Sequence, residues 1–90
     1  MFDFDFSDEL KLKIRKLLKK DRKKVEIIHN KVKEIVNCSP SEIMHYKNLK
    51  HGMSDRKRVH INTHFVLTFK VDLAKNFVLF VDFDHHDKVY

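Results

Sequence analysis

The sequence predicts an α+β domain ordered β-α-α-β-β-β, an N-terminal helical hairpin packed on one face of a small antiparallel sheet. Three observations lead there. Apolar residues recur at helical spacing from Leu10 to Val36, the period changes to two from Lys57 onward, and residues 64–71 and 77–83 are β-branched and aromatic. Ninety residues leave room for one modest core, so residues 1–90 are read as a single domain.

FDFDF at 2–6 alternates apolar and acidic residues, which predicts a short strand with Phe2, Phe4 and Phe6 on one face. Ser7 follows as an N-cap, with Asp8 and Glu9 in the first turn where the helix dipole favours negative charge. Leu10, Ile14, Leu17 and Leu18 then define an amphipathic helix ending near Lys20. Asp21 caps a second helix with the apolar face Val25, Ile28, Val32, Ile35 and Val36, stopped by Asn37 and Pro40. The tight join makes an αα-hairpin. Residues 39–56 accommodate one helical turn pinned by Met44, Tyr46 and Leu49, and Gly52 marks a turn. In the next strand Val59 and Ile61 face one way, Arg58 and His60 the other. HFVLTFKV and FVLFVDF, joined by a short polar stretch, form an antiparallel hairpin.

Strict alternation turns Val59, Ile61, Phe65, Leu67, Phe69, Phe77, Leu79, Val81 and Phe83 toward the helices. The opposite face then carries Arg58, His60, Val66, Thr68, Lys70, Val78, Phe80, Asp82 and Asp84, with His86 next. Such a face is either ordinary solvated sheet or a platform for single-stranded RNA, with bases on aromatics and phosphates on cations.

Composition narrows the function. The single Cys38 excludes an internal disulfide, and the lack of a signal-like or spanning apolar run points to a soluble cytoplasmic protein. The net charge of +6 is concentrated in KLKIRKLLKKDRKK at 11–24 and RKR at 56–58, while 77–87 carries acids and histidines but no Lys or Arg. A basic surface attracts phosphate backbones, anionic membranes or an acidic protein.

The closing VDFDHHDKVY raises three readings. Asp82, Asp84 and His86 share a strand face and could hold zinc or manganese with His60, although no established ligand spacing is present. It could be a solvated charged tail. Or it could serve acid/base chemistry on RNA, which needs a base for the 2′-OH, an acid for the leaving 5′-oxygen and a cation for the phosphorane. His60, His86, Arg58 and Tyr90 supply those types without a cofactor. Cys38 lies in no nucleophile motif and reads as structural.

FDFDFSDELKLKIRKL, YKNLKHGMSDRKRVHI, HFVLTFKV, FVLFVDF and HHDKVY, in that order over nearly the whole chain, resemble the RelE/ParE family of toxins from prokaryotic toxin–antitoxin pairs. The resemblance to the RelE branch implies a ribosome-dependent endoribonuclease that cuts mRNA in the A site through the 2′-OH route without metal or other cofactor. It implies His60 and His86 in proton transfer, Arg58 on the phosphate and Tyr90 stacked on the substrate base. Arg56, Lys57, Lys13, Lys16, Lys20 and Lys24 are then the cations for mRNA and ribosomal RNA. A cognate RelB-like antitoxin is the implied protein partner; no membrane is. The chain departs from the family in two places. Val66 stands where many members carry an arginine for the scissile phosphate, and Asp82, Asp84 and Asp87 make the C-terminal end acidic. These departures also suit ParE-like relatives, which keep the fold, lack the nuclease chemistry and inhibit DNA gyrase.

Overall fold

The computed structural model describes residues 1–49, 56–62 and 64–85. The element order is β1 (Asp3–Phe6), α1 (Asp8–Lys20), α2 (Arg22–Val36), α3 (Pro40–Ile43), β2 (Lys57–Ile61), β3 (Phe65–Asp72) and β4 (Phe77–His85). Among the described residues, no helix is long and apolar enough to cross a membrane.

Local chemistry sets the element ends. The Ser7 hydroxyl accepts from Leu10 N–H at 3.1 Å and donates to the Val81 carbonyl, so the cap of α1 is also its attachment to β4. Asp21 closes α1 through its N–H and opens α2 by accepting from Lys24 N–H at 3.1 Å. A single residue therefore makes the hairpin join. Ser39 and Glu42 form a capping box around α3, with Pro40 in its first turn. Asn62 and Asn76 take the left-handed backbone that turns into β3 and β4 require (φ 59° and 53°).

The sheet order is β1-β4-β3-β2. β2–β3–β4 is antiparallel as expected, while β1 joins the edge parallel to β4, with Asp3 opposite Phe77 and Phe6 opposite Phe80. Residue alternation specifies the face a strand buries, not the direction in which an edge strand docks. Phe2 is buried as expected, and Phe4 and Phe6 pack edge-on against Phe80 at 6.0 and 5.7 Å. The helices cover one sheet face with Leu10, Ile14, Val25, Ile28, Val32, Ile35 and Val36. Leu18 points outward instead, 43% exposed.

One expectation is overturned. The β3–β4 register shifts between Thr68 and Phe69, which pair with Asp82 and Phe80, so Val81 is an extra residue in β4. Below this bulge the alternation reverses. Val78 and Phe80 are fully buried in the helix-side core, while Phe77 and Leu79 face the other side. A period-two reading has no means of anticipating an inserted residue.

Candidate functional site

The site forms where the 44–49 segment lies along β2. Arg58 N–H donates to the Lys47 carbonyl and Leu49 N–H to the Arg56 carbonyl, both at 2.8 Å, around an antiparallel bridge between Asn48 and Lys57. Residues opposite one another in an antiparallel pair share a face. Asn48 and Lys57 therefore point to the helix side, and Lys47 and Arg58 point to the other. Before Lys47 the chain turns out of α3, with the backbone N–H groups of His45 and Tyr46 donating to the Glu42 and Ile43 carbonyls. A cleft of about 300 Å³ opens there, lined by His45, Tyr46, Lys47, Arg58, Val59 and His60.

Beneath that cleft Lys57 is 5% exposed. Its ammonium donates to the carbonyls of Met44 (3.2 Å) and Tyr46 (3.0 Å) and to Asn48 Oδ1 (3.1 Å). Burial pulls its pKa below the usual lysine value. Lys57 was expected among the RNA contacts. With three acceptors and no exposed head it is instead the clamp that holds the 44–48 segment against β2. Tyr46 is anchored too, its ring edge-on to Phe69 at 5.5 Å. Burial, and then the neighbouring Cys38, Glu34 and Glu42, push its hydroxyl up to about 12. It stays a neutral phenol. Glu42 lies close enough for the charge of His45 to help lower the Glu42 pKa, after the larger effect of its hydrogen bonds with Ser39.

Arg58, His60, Val66, Thr68, Asp82 and Asp84 share the sheet face, as expected. Arg58 pairs with Thr68 and Thr68 with Asp82; His60 pairs with Val66 and Val66 with Asp84. Val66 and Thr68 are buried between these rows, and the Arg58 Nε is buried as well. Asp82 and Asp84 are both engaged by Lys13, at 2.7 and 3.4 Å, and its ammonium also donates to the Phe83 carbonyl. Burial opposes the charge on Lys13, but hydrogen bonds and charges of the two aspartates outweigh it and raise its pKa. Lys13 thus offsets one of the two negative charges that Asp82 and Asp84 bring to this end of the sheet. Among the described residues, no group of three or more His, Cys, Asp and Glu is placed to hold a metal ion.

The other expected cations diverge. Lys16 and Lys20 are exposed on α1, and Arg56 is half-buried at the head of β2. Lys24 sits 4.0 Å above the Phe65 ring and 3.8 Å from Asp21. His85 lies on the helix side of the sheet, stacked on His64 at 5.9 Å and edge-on to Phe65 at 5.5 Å. His86 and Tyr90 lie outside the described residues. Sequence reasoning missed His45 and Lys47. No local signal pointed to them, because only the approach of the 44–49 segment to β2 brings them beside Arg58 and His60.

No family model matches the chain. It is 46% identical over 90 residues to "Putative toxin RelE4" of Methanocaldococcus jannaschii, covering 100% of this chain and 92% of that protein. It is also 46% identical to an uncharacterized protein of Methanosarcina mazei, covering both in full. Among solved structures, a metal-bound toxin from Helicobacter pylori superposes with a TM-score of 0.73 at 20% identity, with both chains fully covered. YafQ from E. coli superposes with a TM-score of 0.67 at 15% identity, covering 100% of this chain and 99% of that one. Both share the fold.

Proposed function

Because the chain belongs to the RelE family of toxins, we propose that it is the toxin of a toxin–antitoxin pair and a metal-independent endoribonuclease that cuts ribosome-bound mRNA in the A site. The observation that carries the proposal is the cleft in which Arg58 and His60 open together beside Lys47.

In this reading the scissile phosphate binds at the cleft mouth. Arg58 offers a planar fork to its oxygens and Lys47 adds a point charge, which together stabilise the phosphorane. Proton transfer to the leaving 5′-oxygen and from the 2′-OH falls to His60 and His86, and Tyr90 stacks on the substrate base. Lys16, Lys20 and Arg56 steer the protein to ribosomal RNA, with Lys13 and Lys24 as secondary contributors because each already has partners. Lys57 is left out of this set. Action on ribosomes makes the protein cytoplasmic. A cognate RelB-like antitoxin covers part of this basic surface and silences the toxin.

The test is primer extension on mRNA bound to programmed ribosomes, with wild type and His86→Ala, using EDTA-treated protein and restored magnesium. Cuts confined to the A site with wild type, and lost in the variant, are expected. Intact mRNA in every lane defeats the proposal. A second reading, a ParE-like gyrase-directed toxin, is favoured by one observation: Val66 is fully buried at the centre of the face, where many RelE relatives carry a phosphate-binding arginine. Growth arrest with intact mRNA and relaxed plasmid DNA would select it.

A further inference from the structure

We propose that the end of the open sheet face beyond the cleft is a docking surface for a protein segment whose apolar residues are flanked by Lys or Arg. The inference goes beyond the nuclease reading above and does not depend on it.

The bulge makes the surface. With uninterrupted alternation Phe77 and Leu79 would pack toward the helices. The extra residue at Val81 gives those places to Val78 and Phe80, both fully buried, and leaves Phe77 and Leu79 half-buried on the opposite face. Met44 and Leu73 stand beside them, 47% and 48% exposed, and the four line one recess of about 540 Å³ together with Lys70 and Asp72. Apolar side chains gathered in one recess, rather than scattered singly, mark a contact surface.

Charge states what fits it. β1 runs parallel beside β4 with Asp3 opposite Phe77 and Asp5 opposite Leu79, so both carboxylates share the face of the recess. On its other side Asp72 pairs with Phe77, and its carboxylate is fixed at the turn by the Lys75 N–H at 3.1 Å. All three aspartates are exposed. Lys70, opposite Leu79, adds one cation to this rim, and Lys11 approaches Asp5 from α1 at 3.7 Å. An apolar seat with acids along both sides therefore lies on a chain of net charge +6, at the other end of the face from Arg58 and His60. Phosphates and acidic peptides are drawn to the cleft and opposed by these aspartates. A segment with apolar residues between basic ones complements both the recess and its rim. Its apolar residues lie against Phe77 and Leu79, and its cations meet Asp3 and Asp5 on one side and Asp72 on the other.

The experiment follows the methyl signals of Met44, Leu73 and Leu79 by NMR in the full chain. The probes are a synthetic peptide alternating Leu and Lys, the same peptide with Glu for each Lys, and a single-stranded RNA oligonucleotide. We expect the Leu–Lys peptide to shift these signals and the other two to leave them in place, although the net charge of the protein favours the opposite order. Phe77→Ala, and the double variant Asp3→Lys with Asp5→Lys, should each weaken that binding on the order of 10-fold. The effect of the charge reversal should shrink as salt is raised. Should Phe77→Ala lower the unfolding midpoint, the charge reversal at two exposed positions carries the comparison. Unmoved signals with the Leu–Lys peptide would overturn the inference, as would shifts that survive the charge reversal. Equal or tighter binding of the Glu peptide or the RNA at these methyls would overturn it too. Shifts of the same signals on raising the protein concentration alone would assign the recess to a second copy of the chain instead.

Discussion

The Lys57 ammonium lies 3.0 Å from the Tyr46 carbonyl, on the face of β2 opposite Arg58. One strand thus presents the clamped Lys57 inward and Arg58 outward, and the inward cation holds the 44–48 segment that forms the facing wall of the cleft.

Replacing Lys57 by Met should destabilise the protein by roughly 1–3 kcal/mol, since buried carbonyls lose their donor. Urea unfolding measures it. Burial lowers the Lys57 pKa below the unfolded value of 10.5, so the unfolded chain binds this proton more tightly. The stability contribution of Lys57 is therefore level at low pH and rises as pH climbs through the lowered pKa toward 10.5. The Met variant should lack that rise.

Tyr46 gives the opposite slope. Its pKa is pushed up to about 12 from 10.0, so the folded state retains a proton that the unfolded state releases. The stability it contributes is complete below pH 10 and lost as pH rises to about 12. In a phenolate absorbance titration, Tyr46→Phe should remove the transition near 12, and a titration with no such component would contradict the burial of this hydroxyl.

Lys13→Gln should release Asp82 and Asp84 beside the proposed RNA path and weaken ribosome binding. The stability cost should be below about 1 kcal/mol, because the Lys13 side chain is 40% exposed and its partners 31% and 33%. With its pKa raised, what stability Lys13 supplies is complete below 10.5 and disappears above it. Lys16→Gln and Lys20→Gln should leave stability unchanged. Each should instead reduce the log–log salt slope of ribosome binding by roughly 0.7–0.9 if it contacts a phosphate. Binding measured across a salt series separates the two kinds of lysine.

The bulge makes a sharp comparison between two phenylalanines three residues apart. Phe80 is fully buried against Phe69, Phe4 and Phe6, so Phe80→Ala should cost roughly 3–5 kcal/mol. Phe77 lies on the far side of the strand beside Leu73 and Leu79, and Phe77→Ala should cost clearly less. Equal costs by urea denaturation would mean that β4 alternates without interruption.

The sequence by itself determined the elements and their order. Helical spacing from Leu10 to Val36, the caps at Ser7 and Asp21 and the two-residue period around Val59 and Phe65 are local signals, and local backbone preferences act within a few residues of their cause. It also placed Arg58 and His60 on one face, because alternation in a short strand has no room to slip. Tertiary structure decided the rest. The extra residue at Val81 exchanged Phe80 for Leu79 in the core, and the parallel docking of β1 depended on what β4 left unpaired. Lys57 became a clamp only because three acceptors from 44–48 meet it inside the fold. His45 and Lys47 line one cleft with Arg58 and His60 only because the 44–49 segment lies along β2. Register between distant segments follows from which packing buries the most apolar surface and satisfies the most polar groups, a property of the assembled fold.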